Sequence, residues 1–333
     1  METNRLNPKQ FFNRLGLAYF AGSVILVGMQ YLMIFLMGVI APQYADNVNV
    51  SLLVSYLPLV VIVYPLLMLI VTKMVPKAPA IEKKKLGVGQ FILYLIMTYS
   101  LLYVGNILGN AVNAITKGMA GQENSNPVVD LVINLNLPLT ILFVVIAAPI
   151  FEEIVFRKFL IDRVIQYGEG CAVVISGVFF MLLHGNFSQG FYALFIGLML
   201  GFLYVRTGQI RYTIILHMIV NAMGSVIAPA IMKLVDFQEV TRLVTAGDME
   251  AYMQYVMDNM TGFAIYGCYV VTIFIISVIG WILLIVLRKK FKLSEINTPI
   301  AKGERFKTVF LNPGMLLYCL LWIIMYILSV FNM

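Results

Sequence analysis

Six side chains within one apolar stretch carry the chemistry this sequence offers: Glu152, Glu153, Arg157, His184, His217 and Asn221. An ionisable group at membrane depth costs a few kcal/mol, so those retained there are candidates for function. The chain has 2 histidines, and both belong to this set. On a helix, residues four apart share a face, so Glu153 can pair with Arg157, with the acid before the base in the favourable order. Glu152 then points about 100° away and has no local partner. By the same spacing His217 and Asn221 stack on one face and can aim two donors at one point.

A turn at Tyr167-Gly168-Glu169-Gly170 divides the first two groups, and Glu152 lies 16 residues before Gly168 while His184 lies 16 after it. In an antiparallel hairpin rising about 1.5 Å per residue on each arm, the two are level. A carboxylate facing an imidazole in a dry site can hold and deprotonate a water. Donors from His217 and Asn221 would then stabilise the oxyanion formed when that water adds to an amide carbonyl. The plainer reading is that these groups satisfy one another as interhelical polar links. Their convergence from three segments favours a site. His217 lies only about eight residues past the Thr207-Gly208-Gln209 turn, which leaves its depth open.

The elements that must position these groups are membrane helices. The chain is 61% hydrophobic and 12% charged, with a mean hydropathy of +0.91, more than a soluble fold can hide from water. At about 20 apolar residues per crossing, nine spans are expected: 16–41, 52–75, 88–113, 133–156, 171–185, 191–206, 212–232, 262–287 and 313–331. The fold class is therefore all-α, a polytopic bundle of eight or nine spans with the site in spans four to seven. One transmembrane domain, 16–331, follows a basic cytoplasmic tail, 1–15. It holds a catalytic core at about 133–232 and an acidic outer loop at 233–261, read as mainly solvated, with short surface helices as the alternative.

Basic residues fall on alternate connections: Arg5, Lys9 and Arg14; Lys73, Lys77 and Lys83 to Lys85; Arg157, Lys158 and Arg163; Arg206 and Arg211; and the run from Arg288 to Lys307. This puts the N-terminus in the cytoplasm and accounts for the net charge of +7 without nucleic acid. Cys171, Cys268 and Cys319 sit in apolar runs and form no metal or disulfide pattern.

Read as motifs, Glu152-Glu153-Ile154-Val155-Phe156-Arg157 is EExxxR, Phe180 to His184 is FxxxH, and His217 to Asn221 is HxxxN. In this order they resemble the three motifs of the CAAX-processing and bacteriocin-processing family of intramembrane proteases, which includes the type II CAAX prenyl endopeptidases. The resemblance covers about residues 140–225. It implies that Glu152 and His184 activate water, that His217 and Asn221 form an oxyanion hole, and that Glu153, Arg157 and Phe180 support the site. The family has been labelled metalloprotease. The chain lacks HExxH, and a metal-free mechanism without cofactor is favoured; zinc on Glu152, His184 and His217, with an open fourth position, is the alternative. The implied partners are a membrane-tethered or lipidated peptide or protein and the bilayer, in a bacterial plasma membrane. Two other function classes remain: an ion- or proton-coupled transporter, which predicts an internal repeat that is not found, and a non-catalytic interaction or immunity protein on the same scaffold.

Overall fold

The computed structural model describes residues 6–123, 134–294 and 300–331. Arg5 of the basic tail and residue 133, where the core was expected to begin, lie outside the described residues. Within them the regular structure is helical, as lipid demands when it offers no partner to backbone N–H and C=O groups. The long helices are α1 (Pro8–Ile40), α2 (Val48–Met74), α3 (Val88–Met119) and α4 (Leu137–Tyr167). Then come α5 (Glu169–Leu183), α6 (Phe187–Thr207) and α7 (Ile210–Met232). Two short helices, α8 (Phe237–Ala246) and α9 (Met249–Asp258), lead to α10 (Met260–Val286). Finally α11 (Arg305–Phe310) leads to α12 (Pro313–Val330).

Among the described residues, 8 helices are long and apolar enough to cross a membrane. The chain is an integral membrane protein built as a helical bundle. The expected span 171–185 corresponds to α5, whose 15 residues rise only about 22 Å against a hydrocarbon core of about 30 Å. The expected tail is also shorter than 1–15. Asn7 caps α1 by accepting from Gln10 N at 2.8 Å, and Phe11, Phe12 and Leu15 are buried. The rings of Phe11 and Phe12 pack on Tyr167 at 4.8 and 5.0 Å. The stretch 233–261 is not mainly loop. Two of the acids that marked it as solvated instead start its helices: Asp236 accepts from Gln238 N and Glu239 N, and Asp248 accepts from Ala251 N.

Helix α6 is the centre of the core, buried between α3 and α5. Small residues permit this. A Cβ on Gly105 or Gly109 of α3 would collide with the backbone of Tyr192 or of Phe187 and Ser188 on α6. On its other side Gly197 sits against Gly177 of α5, where a Cβ would come within 3.0 Å of the Gly177 Cα. The small residues at 105, 109 and 197 thus do what such spacing does in membrane helices, bringing backbones together.

The connections at one end of the bundle are bonded to each other. Ala78 N donates to Asp162 O at 3.0 Å, Lys84 N to Thr207 O at 2.8 Å, and Glu169 N to Ser294 O at 3.3 Å. The buried Asp162 carboxylate gathers Lys158 at 2.8 Å, Lys77 at 3.3 Å and the Tyr204 hydroxyl at 2.7 Å. This ladder sets the relative heights of the helices. Tyr204 is level with Asp162, and Gly208 lies four residues past Tyr204 where Gly168, at φ 111°, lies six past Asp162. The two turns therefore end within about two residues, or about 3 Å, of each other.

Candidate active site

Helix α4 carries both glutamates and is wound more loosely than an α-helix in two places, Thr140–Ala147 and Ile154–Ile161, where i→i+5 bonding replaces i→i+4. Such π segments are rare and cluster at functional sites. Side chains of neighbouring helices bond to carbonyls of both segments. Tyr19 Oη of α1 donates to Val155 O at 2.9 Å, and Ser176 Oγ of α5 donates to Phe156 O at 2.9 Å. Asn221 Nδ2 of α7 donates to Val144 O at 2.9 Å.

The Val144 bond has a local cause. The i→i+5 series closes with Ala148 N on Phe143 O, so the next donor would be residue 149. That residue is Pro149, which has no N–H. Asn221 supplies the missing donor and ties α7 to α4 about two turns before Glu152. The spacing argument had Asn221 present its amide beside His217. In the structure one of its two N–H groups is committed to the backbone, and the other remains for the cavity it lines.

Glu153 is fully buried and holds two partners. Arg157 Nε lies 3.2 Å from one carboxylate oxygen, and His217 Nδ1 lies 3.0 Å from the other. Arg157 is also fully buried, so it does not belong with the basic connection residues grouped above by charge. Its Nη1 has no hydrogen-bond acceptor among the described residues; the Phe180 ring, centred 4.7 Å from Cζ, meets the guanidinium instead. The same ring touches both imidazoles edge-on, at 4.9 Å from His184 and 5.6 Å from His217. Phe180 is therefore the common floor of the cluster.

Glu152 points away from this pair, as the spacing predicts, and is 16% exposed. Its carboxylate lies 3.8 Å from His217 Nε2, beyond direct hydrogen-bond range. His184 ends α5, and its Nδ1 lies 2.7 Å from Phe180 O. A carbonyl only accepts, so Nδ1 carries a hydrogen and, in the neutral ring, Nε2 keeps its lone pair. Glu152, His184, His217 and Asn221 all line one cavity of about 280 Å³.

Tyr56 of α2, Asn106 of α3, and Ser188, Gln189 and Tyr192 of α6 also line this cavity, and sequence reasoning passed over all five. Asn106 is a carboxamide inside an apolar run and could have been flagged by the depth argument; Tyr56 offered no such signal. Among the described residues no three His, Cys, Asp or Glu side chains converge closely enough to hold a metal ion.

Residues 134–223 match the family described as Type II CAAX prenyl endopeptidase Rce1-like, close to the 140–225 of the motif resemblance. This segment of the chain is similar to the Rce1-like family. A relative, the "Putative membrane peptidase YdiL" of Bacillus subtilis (strain 168), is 27% identical over 154 residues, covering 46% of this chain. The chain spans 63% of that relative's length. No solved structure matches the chain. The Rce1-like match takes in α4 to α7 up to residue 223, the helices that carry the cluster, and leaves α1 to α3 and α8 to α12 outside it.

Proposed function

We propose that the chain is an intramembrane endopeptidase that hydrolyses a peptide bond of a membrane-tethered or lipidated peptide or protein. The observation that carries this reading is one half-closed cavity faced by Glu152, His184, His217 and Asn221 from α4, α5 and α7. Glu152 and His184 Nε2 hold a water, and Glu152 takes its proton as the oxygen adds to the substrate carbonyl. His217 Nδ1 is committed to Glu153, so Nε2 donates when the ring is an imidazolium between the two carboxylates. Together with the second N–H of Asn221 it stabilises the tetrahedral oxyanion. Glu152 then returns the proton to the leaving amine. Glu153, Arg157 and Phe180 fix the ring of His217.

The similarity of residues 134–223 to the Rce1-like family and a Bacillus relative named as a membrane peptidase support this reading. They also support a bacterial plasma membrane, with the basic end of the bundle in the cytoplasm. The test is turnover by the purified chain of an N-palmitoylated, internally quenched peptide library in detergent. Glu152→Gln keeps the side-chain volume but cannot accept a proton, and is expected to fold and to lose turnover. Wild-type rates in a verified Glu152→Gln sample would remove the assignment. Dialysis against a chelator is expected to leave the rate unchanged; loss of activity restored by added zinc would reinstate the metal alternative.

A further inference from the structure

Ser188 is 2% exposed and lines the catalytic cavity, yet its hydroxyl has no hydrogen-bond partner among the described residues. Buried polar groups are nearly always paired, because an unpaired one keeps the full cost of leaving water. A helical Ser or Thr has an easy remedy, the carbonyl four residues back. Thr207 uses it on Leu203 O at 2.8 Å, and Ser225 on Asn221 O at 2.6 Å. Ser188 is the second residue of its helix, so the residue four back, His184, lies before the helix and beyond the turn at Gly185 (φ 64°), out of the register that back-bond needs. Among the described residues Ser188 thus stays unpaired in the wall of the space that Glu152 and the two histidines line.

Its place in α6 sets the polarity of what it can bind. Ser188 is the second residue of a 21-residue helix, within the positive end of the helix dipole, where an oxygen bearing negative charge is favoured. Asn106 of α3, which also lines the cavity, accepts from Asn110 through its carboxamide oxygen at 2.9 Å. Ser188 and Asn106 are thus polar groups of the lining that the hydrolytic steps do not use.

We infer that Ser188 is a substrate-anchoring residue whose hydroxyl donates to a main-chain carbonyl oxygen of the bound peptide. A peptide in a helix spends its carbonyls on its own N–H groups. The anchored stretch is therefore extended, and a substrate segment that is helical in the bilayer must unwind before it is cut. The inference rests on the peptidase reading.

The experiment compares Ser188→Ala with wild type in two measurements. Thermal unfolding in detergent without peptide is expected to be unchanged or raised, since alanine removes an unpaired buried hydroxyl. With the N-palmitoylated quenched peptides, KM is expected to rise about 2- to 12-fold with kcat within about twofold, the worth of one neutral hydrogen bond. A thioamide, a poorer acceptor than an amide, should cause the same loss at one peptide position in wild type and no further loss in Ser188→Ala. A fall in unfolding temperature of several degrees, or an unchanged KM, overturns the anchor. If wild type cleaves nothing, the peptidase reading fails by itself. Peptide affinity measured by anisotropy on Glu152→Gln with and without Ser188→Ala still decides the anchor, and equal affinities overturn it.

Discussion

Arg157 is the side chain on which the cluster depends most, although it touches no part of the cavity. It is fully buried and its single carboxylate partner is Glu153, 3.2 Å away. Taking either member away strands the other in a dry interior, at a cost of about 3–5 kcal/mol. Glu153→Gln and Arg157→Ala are therefore expected to lower thermal stability in detergent, whereas Glu152→Gln, at the partly exposed carboxylate, is not. Unfolding curves of the three purified variants check this; full stability of Arg157→Ala would show that the pair carries no structural load. The i,i+4 spacing of Glu153 and Arg157 and the rotation of Glu152 off that face were legible in the sequence because they depend only on local helix geometry. That His217 would take the free oxygen of Glu153 was not, since it depends on the height of α7 relative to α4.

At the scale of elements, the loosened turns of α4 convert backbone into binding groups. Pro149 leaves Val144 O without its main-chain donor, and Asn221 fills the gap at 2.9 Å. Asn221→Ala is thus expected to do two separable things. It unpairs a carbonyl, costing about 1–3 kcal/mol of stability, and it removes the proposed oxyanion donor, lowering kcat by about 10² to 10³. Pro149→Ala restores an N–H at residue 149. In that background the stability cost of Asn221→Ala should shrink while the loss of kcat persists. A double-mutant cycle in unfolding free energy, run beside turnover, separates the two; no coupling between positions 149 and 221 would show that the clamp is not what holds Val144. Other pairs of loosened turn and proline occur at Leu59–Val63 with Pro65 and at Met223–Ile227 with Pro229. Such turns were not readable from the apolar runs, because proline in a hydrophobic stretch signals a break or kink and says nothing of the pitch before it.

For the molecule as a whole, charge alternation and apolar length were enough to find the long helices, since both follow from the thickness of the bilayer and the cost of moving charge across it. They misjudged the α4–α5 hairpin, where a 15-residue arm carries His184 only part of the way across. The bonds among Ala78 and Asp162, Lys84 and Thr207, and Glu169 and Ser294 place those connections at one end, so the basic loops that alternate in sequence are neighbours in space. The sidedness of the bundle can then be tested with single cysteines in a background where Cys171, Cys268 and Cys319 are replaced by serine. Cysteines at the exposed positions Lys84 and Lys289 are expected to react with an impermeant maleimide only after the membrane is opened. Those at Gln43 and Met253, also exposed, are expected to react in intact cells. The reverse pattern would put the basic end outside and overturn the proposed orientation. Labelling of Lys84→Cys and Lys289→Cys from opposite sides would contradict the bundle itself, because one set of hydrogen bonds holds both connections at the same end.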